Sequence, residues 1–305
     1  MVLFGFVISC KKDDDDNIVQ LRDRNEQFIT DSISIATFLD SHYVEVDSEF
    51  NVTFEKLTDG DGKESVRKQK TYPLQFNIVN VDEVNYKIYF LKIREGSKDN
   101  PRPLDSVLVS YKGNLLDKTR FDWRPNPFWT SALISGSINT NIFSTKGPRY
   151  ILPEFKSGDY TENSDGTLNY NDFGVGVMFL PSGLAFFQNT IQGIPAYTPV
   201  VVTFNLYAVR YRDHDLDFVL TKDEDINSNY DYTDDDTDGD GIPNYLDADD
   251  DADGIPTKNE VKITFVDNVR KVEFLDDNKN GIPNHLDKED IKEYNKEDSS
   301  EELTE

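Results

Sequence analysis

The chain has 305 residues, with 58 acidic and 32 basic side chains and a formal net charge of −26. That balance argues against nucleic acid or an anionic membrane face as a partner, because phosphate binding needs Lys and Arg to displace counterions. One cysteine, three histidines and no apolar run of bilayer length exclude an internal disulfide, a Cys-rich zinc site and a membrane-spanning helix.

The opening MVLFGFVISC is a short apolar stretch ending in Val7-Ile8-Ser9-Cys10, and Lys11, Lys12 and Asp13 to Asp16 follow it. A small residue before cysteine resembles a bacterial lipoprotein cleavage box. The charged run beside it resembles the export signal of surface-displayed lipoproteins. The resemblance implies lipid on Cys10 and a place at the outer membrane or cell surface, each buried methylene of an acyl chain contributing about 0.8 kcal/mol. With no basic stretch ahead of it, the segment reads as a truncated signal, and residues 1–23 are set aside as signal and acidic linker.

Residues 24–84 read as a helix followed by a β-hairpin region. Asp23 is placed as an N-cap, and Phe28, Ile29, Ile33, Ala36 and Leu39 recur at helical spacing. Phe50, Val52 and Phe54 alternate, Thr58 to Gly62 makes a Gly- and Asp-rich turn, and a polar strand returns.

Residues 85–212 carry the body. Tyr86 to Ile93 predicts a strand. Val107 to Asp117 predicts another entering a hairpin, with Phe121-Asp122 on the return. Ile151 to Gly158 reads as a strand end running into a short helix, Gly176 to Phe186 as strand and loop, and Val200 to Val209 as a final strand. In this order the Tyr-x-Gly strand, the Phe-Asp pair, the helix entry before Gly158, the Pro-Ser-x-x-Ala-aromatic loop and the last strand resemble the FKBP family of peptidyl-prolyl cis/trans isomerases. The resemblance covers roughly 85 to 211. It implies an α+β fold in which a twisted antiparallel half-barrel sheet wraps a short helix.

That chemistry needs no nucleophile or cofactor. Rotation about a peptide bond faces a barrier of about 18–20 kcal/mol, because resonance makes the C–N bond partly double. The twisted transition state is less dipolar than the planar ground state, so an apolar, water-poor slot favours it. By the family pattern, Tyr111, Phe121 and Asp122 match the pocket tyrosine, wall phenylalanine and adjacent aspartate. Ile151 and Leu152 match a Val-Ile pair that meets the peptide. Phe155 stands for the tryptophan floor, Phe186 for a tyrosine that binds a substrate carbonyl, and Val202 for a phenylalanine on the last strand. Phe128 or Trp129 supplies a further wall. The departures shrink the floor, open the rear wall and delete one hydrogen bond. They point to a slow isomerase acting on proline-containing client polypeptides, or to a proline-binding or chaperone module without turnover.

The charge concentrates after Arg212, where 31 acidic residues face 9 basic ones. Four twelve-residue loops recur there. Asp236, Asp238 and Asp240 precede Gly241 and Ile242 and reach Asp247. Asp249, Asp251 and Asp253 precede Gly254 and Ile255 and reach Glu260. Asp276, Asn278 and Asn280 precede Gly281 and Ile282 and reach Asp287. Asp213, Asp215 and Asp217 reach Glu224, with Phe218 in the glycine position. Oxygen ligands at positions 1, 3, 5 and 12, a carbonyl at 7 and glycine at 6 describe a chain folded round structural Ca²⁺. The 236 and 249 loops are expected to bind best, the 276 loop less well and the 213 loop least. Proline at position 8 and missing flanking helices separate the array from paired EF-hands; it resembles thrombospondin type 3 repeats. Residues 261–275 predict a small hairpin inside the array, and 288–305 a disordered acidic tail. A spacer or adhesion role for the array, with a vestigial body, is a further expectation.

Overall fold

A computed structural model describes residues 21–60, 62–131, 141–191, 193–266 and 269–295. Cys10 and the charged run behind it lie outside the described residues, as do Asp61 and the last ten residues.

One antiparallel sheet organises the body. Its strands are β3 (Leu74–Val81), β4 (Val84–Arg94), β5 (Ser106–Leu115), β6 (Arg120–Ser131), β9 (Gly174–Leu180) and β10 (Val200–Arg210), in the order β3-β4-β9-β10-β5-β6. The period-two pattern of β4 sends Tyr86, Ile88 and Phe90 to one face and Leu91 and Ile93 to the other. The central strand β9 is buried along its whole length, as a strand covered on both faces must be. The sheet begins at Leu74, ahead of the boundary drawn at residue 85, and β3 pairs with β4 along its full length.

The second face is covered by α1 (Arg24–Ser41) and a hairpin of β1 (His42–Val46) and β2 (Val52–Lys56). Asp23 caps the helix by accepting from the Glu26 N–H at 2.9 Å. The buried stripe differs from the expected one. It runs through Gln27, Asp31, Ile35, Phe38 and Leu39, while Ile29 and Ile33 are exposed. The polar strand expected after the 58–62 turn does not form; β2 turns back on β1 instead, a strand the sequence reading missed because it follows the helix without a break.

Over the first face lie residues 141–155 and 181–191, with Ile194. Within 151–158, expected to run from a strand end into a short helix, the chain makes a single 3-10 turn at Leu152–Glu154; a 3-10 turn at Ile142–Ser144 and α2 (Lys146–Arg149) precede it. Pro148 and Pro153 each withhold an N–H and interrupt any longer helix. A small hairpin, β7 (Asp159–Glu162) with β8 (Leu168–Asn171), precedes β9. After Arg212 the chain forms loops with α3 (Thr257–Glu260) and one hairpin, β11 (Lys262–Val266) with β12 (Val269–Glu273), where the sequence placed it. Residues 288–295, expected to be disordered, fold back: the Tyr294 N–H donates to the Asn259 carbonyl, and the Asn295 amide donates to the Lys258 carbonyl at 2.8 Å.

Candidate functional sites

Tyr111 projects from β5 onto the first face. Its hydroxyl donates to the Asp122 carboxylate on β6, with the Arg124 guanidinium 3.7 Å from the same oxygen. Burial, then the hydrogen bond to Asp122 and its charge, push the Tyr111 pKa up, so the hydroxyl keeps its proton and stays a donor. Phe121 lies over Gly113; a Cβ there would come within 2.3 Å of the ring, so glycine is what lets the ring sit against the strand. Ile151, Leu152 and Phe155 arrive on the 152–154 turn, which is pinned by the Asn100 amide donating to the carbonyls of Pro153 at 2.8 Å and Phe155 at 3.1 Å. Phe155 packs into the space left by Gly176, with its ring edge-on to Phe204 at 4.9 Å and to Phe90 at 5.9 Å. Phe186 follows the 182–184 turn, and Val202 stands on β10.

Seven of the eight expected pocket residues therefore belong to one apolar cluster, six buried members with Phe121 packed against them, and Asp122 is tied to that cluster through Tyr111. Ile151, Phe155 and Val202 are fully buried, Tyr111 is 4% exposed, and Leu152 and Phe186 are 7% exposed. The floor and rear are thus packed core, while Phe121 and Asp122 form a half-buried rim. Val202 does not leave the rear open as expected. Two further rings complete this wall. Phe143, which no sequence signal marked beyond an apolar pair behind the capping Asn141, lies 5.2 Å from Tyr111 and 6.1 Å from Phe204. Phe128 lies 5.9 Å from Tyr111, whereas Trp129 is exposed with the Arg210 guanidinium over it, so Phe128 is the wall residue.

The helix α1 holds the loop that bears Phe186. The Asp31 carboxylate is buried and accepts from the Ser182 N–H at 2.7 Å, the Ser182 hydroxyl at 2.6 Å and the Gln27 amide at 2.7 Å. Desolvation raises its pKa against the pull of those bonds.

The four acidic loops share one backbone. Positions 4 and 6 have positive φ in each: Leu216 and Phe218 at 69° and 81°, Gly239 and Gly241 at 77° and 95°, Ala252 and Gly254 at 52° and 96°, Lys279 and Gly281 at 60° and 95°. Phe218 thus takes the left-handed conformation glycine takes elsewhere, at a steric cost glycine avoids. In each loop the position-7 N–H donates to the position-5 side chain: Val219 to Asp217 at 2.8 Å, Ile242 to Asp240 at 2.7 Å, Ile255 to Asp253 at 2.6 Å and Ile282 to Asn280 at 2.8 Å. Position 9 was missed. Thr221, Asn244, Thr257 and Asn284 are buried and tie the loop closed, Asn244 accepting from the Thr237 N–H at 2.9 Å and Asn284 from Asp277 at 3.0 Å. The recurrence of Thr or Asn at that spacing was the signal.

What the carboxylates leave unused is informative. Asp215, Asp217, Asp251 and Asp253 each give one oxygen to a backbone N–H and leave the other buried without a partner; Glu224 and Glu260 leave both. Burial first, then neighbouring carboxylates, push Glu224 up to about 10 and Glu260 up to about 9. Unpaired buried carboxylates are costly unless a cation or proton joins them. An all-oxygen donor set with unused oxygens turned together fits a hard divalent ion. The order expected from sequence changes here. The 213 and 249 loops hold the orphaned oxygens, the 236 loop is more exposed, and in the 276 loop the Asn278 and Asn280 amides both donate to Asp287 at 2.7 Å, which satisfies that loop internally.

A family model described as "BamM C-terminal" matches residues 214–277. The segment that resembled thrombospondin type 3 repeats is therefore similar to that family instead. No curated protein matches the chain. Among solved structures, a peptidyl-prolyl cis-trans isomerase from Pseudomonas syringae pv. tomato is 17% identical over 62% of this chain and 96% of its own, with a TM-score of 0.35. FkpA from Escherichia coli is 21% identical over 47% of this chain and 53% of its own, at 0.33. The three FKBP domains of wheat FKBP73 are 17% identical over 45% of this chain and 51% of theirs, at 0.33. At such scores these likenesses fix no residue correspondence; the geometry above stands without them.

Proposed function

We propose that the chain is an FKBP-like protein that binds prolyl peptides and isomerises them slowly, acting on exported or surface polypeptides. Its C-terminal loops hold structural Ca²⁺, and lipid on Cys10 tethers it to the outer membrane. The observation that carries the isomerase reading is the convergence of Tyr111, Phe121, Ile151, Leu152, Phe155, Phe186 and Val202 on one sheet face, with Asp122 bonded to Tyr111 at its rim. The pyrrolidine ring of the substrate would rest against this wall at its half-buried rim, beside Phe121 and Asp122. The dry wall favours the less dipolar twisted amide over the planar one. The Tyr111–Asp122 bond fixes the rim, so little reorganises during rotation.

Turnover is slow for two reasons. Phe186 offers no hydroxyl to the substrate carbonyl, and the packed floor admits the ring only shallowly. The calcium reading rests on the orphaned oxygens of the 213 and 249 loops. The tether rests on the Ser9-Cys10 box together with the match to the BamM C-terminal model.

Exchange NMR on an Xaa-Pro peptide tests the enzymatic claim. The full chain in calcium is expected to speed exchange above the uncatalysed rate, and Phe186→Tyr to raise that rate by up to about tenfold, the value of one added hydrogen bond. No acceleration from either protein removes the isomerase. The deep burial of the floor favours a second reading, a prolyl-binding module without turnover, which saturable peptide binding at the uncatalysed rate selects.

A further inference from the structure

We propose that Asp250, carried by the 249–260 loop, is a ligand of the ion held by the 213–224 loop, so that a single calcium ion joins two loops. The inference rests on the calcium reading and extends it to a ligand from outside the loop pattern. Asp250 occupies position 2, which supplies no ligand in such a loop. At the other three position-2 sites the side chain has partners: His214 bonds the Thr221 hydroxyl at 2.7 Å, the Thr237 hydroxyl accepts from Asn244 at 2.9 Å, and Asp277 accepts from Asn284 at 2.9 Å and from Lys292, beyond the loop, at 2.8 Å.

Asp250 differs. Its N–H keeps the position-9 link, donating to the Thr257 hydroxyl at 3.1 Å. Its carboxylate is 2% exposed, neither oxygen has a hydrogen-bond partner, and it meets oxygens of Asp217 and Glu224 within 4.8 Å. Those partners are buried as deeply, at 1% and 3% exposure, and both Glu224 oxygens and one Asp217 oxygen are also unpartnered. Among the described residues, Arg270 pairs at 3.3 Å with Asp213, which adjoins this cluster through Asp217 but is not part of it. Three buried carboxylates facing one another call for a positive charge at their centre, and all the donors are hard oxygens. The orphaned oxygens of Asp249, Asp251, Asp253 and Glu260 serve the neighbouring ion, so two sites meet at consecutive residues 249–251.

Native mass spectrometry of the full chain during calcium titration counts the ions, with EGTA as the metal-free reference. Asp250→Asn and Glu224→Gln are each expected to lose the same ion, or to bind it at least tenfold more weakly, and the double variant to lose no more than either. Asp251→Asn combined with Glu224→Gln is expected to lose two. Because Asn removes a buried charge, Asp250→Asn should melt above the wild type in EGTA and below it in calcium. Asp250→Ser is the second, smaller neutral variant and should give the same ion count. A wild type that binds no calcium overturns the calcium reading itself. A wild type that binds while Asp250→Asn keeps every ion, loses a second ion beside Glu224→Gln, or melts lower in EGTA overturns only the assignment of Asp250.

Discussion

Asp105 shows how one residue joins the body to the extension. It stands just before β5, and its two carboxylate oxygens accept from the Arg102 N–H at 2.7 Å and the Arg212 N–H at 3.2 Å, the second at the point where the acidic segment begins. Burial pushes its pKa up to about 6 in spite of those bonds. The folded state then holds the proton more tightly than the unfolded chain, so the stability conferred by protonation is full below the ordinary aspartate range and is lost as pH rises through 6. Compared with Asp105→Asn, the wild type is expected to lose on the order of 2–3 kcal/mol between pH 4 and pH 6.5. Denaturant titrations of both proteins at those pH values measure it; a difference that does not change with pH contradicts the account. Nothing in the sequence marked this aspartate, because its burial comes from contacts between segments distant along the chain.

The element that governs the rim is α1, and it acts through a polar contact. Asp31→Ala would strip the Ser182 N–H and hydroxyl of their acceptor inside a buried contact, which costs about 2–3 kcal/mol. It would also free the loop that carries Phe186, so prolyl-peptide affinity should fall several-fold along with stability. Asp31→Asn, which keeps an acceptor oxygen, should recover part of both. A denaturant midpoint and a peptide Kd unchanged in Asp31→Ala would show that the helix is a cover only. This face was illegible in the sequence for a physical reason. Hydropathy spacing picks out Ile29 and Ile33, but the stripe that packs contains Gln27 and Asp31, whose burial depends on partners at Tyr197 and Ser182. The strands were legible where alternation and turn residues agreed, as in β5, β9, β10 and the β11-β12 hairpin. The helix expected within 151–158 shrank to the Leu152–Glu154 turn, because the Asn100 amide takes the Pro153 and Phe155 carbonyls that a longer helix would use.

Across the whole molecule, a sheet buried on both faces supports an aromatic wall on one side, with the acidic loops following its last strand. The candidate pocket was readable because its residues come in a fixed order on strands whose facing is set by period two. Phe143 was not, since it reaches the wall from a turn whose path only the fold determines. The acidic loop positions were readable from spacing, while the placement of Asp250 and the ninth-position clamps required knowing how one loop lies against the next. The central claim is that the Tyr111–Phe186 wall receives a proline. The most direct measurement is amide shift mapping of the full chain in calcium, titrated with an Xaa-Pro peptide and with its Xaa-Ala counterpart. Saturable shifts are expected at Tyr111, Phe121, Asp122, Ile151, Leu152 and Phe186 with the prolyl peptide alone. Shifts absent from that wall, or equal for both peptides, would contradict it.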